Sequence, residues 1–157
     1  MGLDMYLWGK KYVSGITEWD EDRKMFHTNP AADAIKEAAK ITNACESKDC
    51  GVYLQFPVAY WRKANHIHGW FVENVQDNND DCEEYYVSRL DLEQLRTKCQ
   101  RMLISKNPDT LPRTAGFFFG SDEVDESYWW AVENTVEQLN KVLSLPDEYS
   151  FYYQSSW

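Results

Sequence analysis

Between Tyr60 and Phe71 the chain reads Tyr60-Trp61-Arg62-Lys63-Ala64-Asn65-His66-Ile67-His68-Gly69-Trp70-Phe71, which concentrates cations, histidines and aromatics in one short segment of an acidic protein. Arginine and lysine neutralise anions, histidine moves protons or hydrogen-bonds near neutral pH, and tryptophan stacks on flat or cationic groups. Wound as a helix from Trp61 to Val75 at about 100° per residue, the segment puts Ala64, Ile67, Phe71, Val72 and Val75 on one arc, with Trp61 and His68 inside it. The opposite, solvent-facing side then carries Arg62, Lys63, His66, Trp70 and Glu73. Together Arg62, Lys63, His66 and Trp70 are the candidate ligand- or partner-binding residues, suited to a nucleotide or another small anion. The plainer alternative is a solvated face whose Trp70 packs on a neighbouring loop.

His68 is the candidate for acid–base chemistry, set against a buried histidine that hydrogen-bonds backbone or a nearby acid. An i, i+2 spacing turns His66 and His68 about 200° apart, so one helix cannot bring both to a metal. The run Asp77-Asn78-Asn79-Asp80-Asp81 lacks the glycine and distal glutamate of a calcium loop and reads as a solvated turn. Asp122, Glu123, Asp125 and Glu126 are explained by the positive end of a following helix before paired catalytic carboxylates need be invoked. Neighbouring acids disfavour the Cys82 thiolate, Cys99 falls in an apolar stripe, and Cys45 and Cys50 lack the spacing of a zinc site. No phosphate-binding loop, nucleophile elbow or dinucleotide glycine pattern is present, so the sequence assigns no cofactor and no metal and favours a non-enzyme.

These residues need a frame. Leu3 to Trp8 alternates as a first strand, followed by a polar loop through Glu18-Trp19-Asp20-Glu21-Asp22-Arg23. Asn29-Pro30 starts a helix with Ala31, Ala34, Ile35, Ala38, Ile41 and Thr42 on its packing face. Gly51 to Phe56 reads as a strand ended by Pro57. Gln76 to Asp81 is loop, Glu84 to Val87 a short strand, and Ser88 with Asp91 a capping box ahead of a helix whose core stripe is Leu92, Leu95, Cys99, Met102 and Leu103. Lys106 to Thr114 is loop, and Gly116-Phe117-Phe118-Phe119-Gly120 a buried strand or hairpin edge. Ser121 to Glu126 caps a helix with Trp129, Val132, Val136, Leu139 and Leu143 on one face, and Glu148 to Tyr153 is a last strand. The expected architecture is a single α+β domain over residues 1–157, a small, mainly antiparallel sheet packed with about four helices.

The chain has 157 residues, of which 43% are apolar and 15% aromatic, enough for a substantial core. Its net charge of −10 disfavours nonspecific nucleic-acid or anionic-membrane binding and favours a basic partner. The N-terminus fits no signal peptide, no apolar run reaches the roughly 20 residues of a membrane span, and a soluble, cytoplasmic protein with reduced thiols is expected. Trp130 and Trp157 fall off the core stripes and are compatible with a homodimer.

The opening Met-Gly-Leu-Asp-Met-Tyr-Leu, the central Tyr60 to Asn65 with Ile67-His68 and Trp70-Phe71-Val72, Glu84 to Arg89, Gly116 to Ser121 and the closing Phe151-Tyr152-Tyr153-Gln154-Ser155-Ser156-Trp157 resemble a family of small proteins encoded by bacteriophages and prophages. The similarity runs nearly end to end. It implies an accessory protein acting in the host cytoplasm by binding a host macromolecule, including inhibition of a host defence, and gives no role residue by residue. The sequence leaves two further readings open, a nucleotide or small-anion binding protein and a hydrolase or nuclease using His68 with buried acids.

Overall fold

The computed structural model describes residues 2–42, 50–111, 113, 114, 116, 119 and 123–157. Its strands are β1 (Asp4–Val13), β2 (Ile16–Asp20), β3 (Met25–Thr28), β4 (Val52–Arg62), β5 (Tyr85–Val87) and β6 (Ser150–Ser156). Its helices are α1 (Pro30–Ala38), α2 (Asn65–Asn74), α3 (Arg89–Ser105) and α4 (Glu126–Leu143), with a short 3₁₀ turn at Pro108–Thr110. Four strands form one sheet in the order β4-β1-β6-β5, and β2 pairs with β3 in a second, antiparallel sheet. The fold is α+β, as the sequence predicts. The chain divides into two compact units, Met1–Gly9 with Phe56–Trp157, and Lys10–Gln55.

In the larger unit, period-two burial sorts the sheet into two faces. Met5 and Leu7 of β1, Ala59 and Trp61 of β4, and Phe151 and Tyr153 of β6 point into the core, where Ile67, Phe71, Leu92, Leu95, Cys99, Val132 and Leu139 of the helices meet them. The Phe71 ring stacks on Tyr153 with centroids 3.9 Å apart and planes 7° from parallel. The predicted capping box of α3 is present, with Ser88 Oγ accepting from the Asp91 amide and the Asp91 carboxylate accepting from the Ser88 amide. The guanidinium of Arg89 donates to the carbonyls of Leu143, Leu145 and Pro146, tying the start of α3 to the end of α4. The N-cap of α4 is Asp125, whose carboxylate accepts from the Tyr128 amide at 3.0 Å. The predicted α3 stripe is buried at Leu92, Leu95, Cys99 and Met102. On α4 the buried face runs through Tyr128, Ala131, Val132, Thr135, Leu139 and Val142, with Trp129, Val136 and Leu143 at its flank.

In the smaller unit, the stretch predicted as a polar loop is a β-hairpin. Trp19 packs edge-on against Phe26 across the strands at 5.0 Å, the Asp20 carboxylate accepts from the Arg23 amide in the turn, and Lys24 takes a left-handed φ of 50°. Cross-strand aromatic pairing outweighs the polarity of the intervening residues. The α1 helix starts at Asn29-Pro30 as predicted, with Asn29 Oδ1 accepting from Ala31 N. Its buried residues are Ala32 and Lys36, however, and Ala31, Ala34 and Ala38 are exposed, so its packing face is rotated from the predicted one. Small alanines fit either environment and mark a helix face poorly.

Two further boundaries move. Pro57 does not end its strand, because β4 lies at the sheet edge, where a missing amide donor is tolerated. That strand runs on through Trp61 and Arg62, so the predicted Trp61–Val75 helix begins only at Asn65. Cys45, most of the predicted 116–120 strand, Ser121 and Asp122 lie outside the described residues. None of the helices among the described residues is long and apolar enough to cross a membrane.

Candidate functional site

The end of β4 is clamped to α4 by two polar contacts. Trp61 Nε1 donates to Thr135 Oγ1 at 2.9 Å, and the Thr135 hydroxyl donates to the Ala131 carbonyl at 2.7 Å. The Gln138 side chain takes the place of a neighbouring strand, accepting from the Tyr60 amide at 2.7 Å and donating to the Tyr60 carbonyl at 3.0 Å. Lys63 then adopts a left-handed φ of 54°, with its amide donating to Leu3 O at 2.8 Å, and this sharp turn delivers the chain into α2. Arg62 and Lys63 therefore flank the N-terminus of α2. That terminus has no side-chain cap at Ala64 and no acid in its first turn, so its positive end is not neutralised by α2 itself.

Helix α2 is buried on nearly every side, which corrects the two-faced helix expected from the sequence. His66 and Trp70 were expected to face solvent and are 3% and 4% exposed. The reason is that α4 crosses the supposed outer face: the His66 ring lies on Tyr128, centroids 4.1 Å apart and planes 36° from parallel. Trp70 packs edge-on against Phe71 at 5.2 Å. Nothing hydrogen-bonds His66 Nε2, and burial pulls the ring's pKa down to about 4. At neutral pH it is an uncharged imidazole whose Nε2 has no partner, at a desolvation cost of about 1–3 kcal/mol.

The His66 ring borders a cavity of about 360 Å³, lined by Arg62, Lys63, Asn65 and His66 from the β4–α2 turn and by Glu123, Ser127, Tyr128, Trp130 and Ala131 from the start of α4. Three of the four candidate binding residues thus meet in one cavity. Trp70 lines a smaller one of about 120 Å³ with Gly69, Glu73, Lys98, Leu111, Arg113 and Thr114, and His66 borders both. Arg62 is 60% exposed and its Nε stands 3.8 Å from Asp4, whose carboxylate also accepts from the Tyr60 hydroxyl. Tyr128 holds its hydroxyl 3.1 Å from the carbonyls of Pro108 and Leu111, and burial pushes its pKa up to about 12, so it remains a phenol. Ser127, Tyr128 and Trp130 on the larger cavity, and Lys98 and Arg113 on the smaller one, are lining residues that the sequence does not single out. One signal was available: Trp130, off the core stripe of α4, is 64% exposed at the cavity mouth.

His68 faces the other way and is fully buried and satisfied. Its Nδ1 lies 2.7 Å from the Tyr153 hydroxyl and its Nε2 3.0 Å from Asp80 Oδ2, while Asp80 Oδ1 accepts from Trp157 Nε1 at 3.1 Å. A consistent proton order has Trp157 and His68 Nε2 donating to Asp80, and Tyr153 donating to His68 Nδ1. Burial holds the Tyr153 phenol well above its ordinary pKa, in keeping with a donor that keeps its proton. A substrate would have to displace Tyr153 or Asp80 to reach this ring. Among the described residues no three His, Cys, Asp or Glu are grouped to hold a metal ion. No protein-family model, curated protein or solved structure matches the chain. The site is therefore interpreted from its own chemistry.

Proposed function

We propose that this chain is a non-enzymatic binding protein whose ligand is a small anion carrying a flat ring, a nucleotide being the natural class, held in the cavity between α2 and the start of α4. The observation that carries this reading is the buried His66 ring, its Nε2 unpartnered, on the lining of a cavity that Arg62 and Lys63 share. Buried polar atoms ordinarily have partners, and an imidazole on a cavity shared with two cations at an uncapped helix N-terminus suits a phosphate or carboxylate oxygen. Trp130 offers an exposed ring face for stacking. In the phage-like setting that the sequence resembles, such a protein acts as an accessory factor in the host cytoplasm, withholding or sensing the ligand. Titrating adenosine 5′-monophosphate against tryptophan fluorescence tests it: quenching that disappears in Trp130→Ala and weakens in Arg62→Ala supports the reading. An unchanged signal in the native protein, with calorimetry also flat, refutes it.

A second reading, binding of a host macromolecule, is favoured by the other face of the main sheet. Tyr6, Trp8, Tyr60 and Tyr86 lie on the side of the strands away from the core, with Tyr6 stacked on Trp8 at 5.4 Å and Tyr86 and Tyr60 61% and 40% exposed. Aromatics of this kind are enriched at protein interfaces, and a net charge of −10 favours a basic partner. Recovery of a defined host protein from lysate at low but not high salt supports it, and its loss in Tyr86→Ala assigns the face.

A further inference from the structure

The small-anion site leaves the 120 Å³ cavity that His66 also borders without a role. We propose that this cavity is a second anion subsite, so that the bound molecule carries two phosphate groups held on either side of the His66 imidazole. The inference rests on the proposed small-anion site and extends it to a ligand class.

Three observations carry it. His66 borders both cavities, so its ring stands where two subsites would meet rather than at the end of one. Among the described residues each cavity has two cations and one acid in its lining: Arg62 and Lys63 with Glu123 in the first, Lys98 and Arg113 with Glu73 in the second. In a chain of net charge −10, two adjoining cavities whose described residues carry a cation excess are places where an anion would be held. Finally, the second cavity follows α2 through His66, Gly69, Trp70 and Glu73, spacings of three, four and seven residues that fall on one helix face. From His66 to Glu73 that face extends roughly 10 Å, while Arg62 and Lys63 lie before the helix starts. A single phosphate would occupy one cavity, whereas a molecule with two phosphates separated by a nucleoside would occupy both, with its base directed to the exposed Trp130 on the lining of the larger cavity. Thr114 adds a hydroxyl to the second subsite.

The test is calorimetric titration of the intact protein with inorganic phosphate, adenosine 5′-monophosphate and adenosine 3′,5′-bisphosphate. The bisphosphate is expected to bind about tenfold or more tightly than the monophosphate, the gain of one added charge-assisted contact. The double variant Lys98→Ala with Arg113→Ala should erase that advantage and leave the monophosphate affinity unchanged. Arg62→Ala should weaken both nucleotides. Lys98 is only partly buried and Arg113 is exposed, so the double variant is expected to melt with the native protein, and a melting curve checks this. Equal affinity for the two nucleotides, or an advantage that survives in the double variant, overturns the second subsite while leaving the first in place. Absence of binding by all three probes overturns the small-anion reading as well.

Discussion

His66 and His68 are two residues apart on one helix, both buried, and their surroundings are opposite. Around His68 every polar atom is answered: Tyr153 on one ring nitrogen, Asp80 on the other, Trp157 behind Asp80. Around His66 there is a tyrosine ring tilted 36° against it, a cavity that both rings line, and no hydrogen bond to Nε2. A satisfied buried network specifies and stabilises a core, whereas an orphaned buried group costs stability and is retained where it is used. The comparison therefore separates a residue that holds the fold from the one proposed to hold a ligand.

The largest expected effect breaks the satisfied side. His68→Ala leaves the Tyr153 hydroxyl without its buried partner and opens a space in the core, and should cost about 4 kcal/mol in denaturant unfolding. The corresponding change at His66 should behave differently: His66→Phe removes an orphan and keeps a ring against Tyr128, so stability should hold or rise by about 1 kcal/mol.

Acid provides the next test. The folded His66 resists protonation down to about pH 4, while in the unfolded chain it takes up a proton near 6.5. The unfolded state thus binds more protons in that window, so this contribution to stability is complete above pH 6.5 and lost as pH falls towards 4, on the order of 3 kcal/mol. His66→Phe should flatten that part of the profile. The charged residues that share the two cavities with the ring are Arg62, Lys63, Lys98 and Arg113 as cations and Glu123 and Glu73 as acids, with Tyr128 an uncharged phenol. A bound phosphate adds negative charge beside Nε2 and raises the ring's pKa, so affinity should increase as pH falls and binding should take up protons.

Smaller effects sharpen the picture at the cavity rim. Arg62→Ala should weaken a nucleotide about tenfold and leave the melting temperature in place, since Arg62 is 60% exposed. Trp130→Ala should cost a few-fold in nucleotide affinity, on the order of 1 kcal/mol, and nothing for inorganic phosphate, which has no ring to stack.

Much of this frame is legible in the sequence because local chemistry dictates it. Asn29-Pro30, Ser88 with Asp91, and the Leu92 to Met102 stripe each announce their structure by capping or periodicity. The hairpin at Ile16 to Thr28 is not announced, since its pairing residues are interrupted by charge. Pro57 misleads because edge position, a tertiary fact, decides whether proline can stay in a strand. Arg62, Lys63 and His66, which line one cavity, are singled out in the sequence by residue type alone. Their setting is not, because periodicity gives the faces of an isolated helix and cannot show that α4 lies across the polar one. For the same reason Tyr128, Lys98 and Arg113, distant in sequence, could not be joined to the site before the fold was known.

Central to the account is that His66 is kept partnerless for a ligand. The most direct measurement is calorimetric titration of adenosine 5′-monophosphate into the native protein and into His66→Phe, with melting curves of both. The account predicts binding with proton uptake in the native protein, and loss of binding in a variant that melts at the same or a higher temperature. Equal binding by both proteins, or none by the native one, would contradict it.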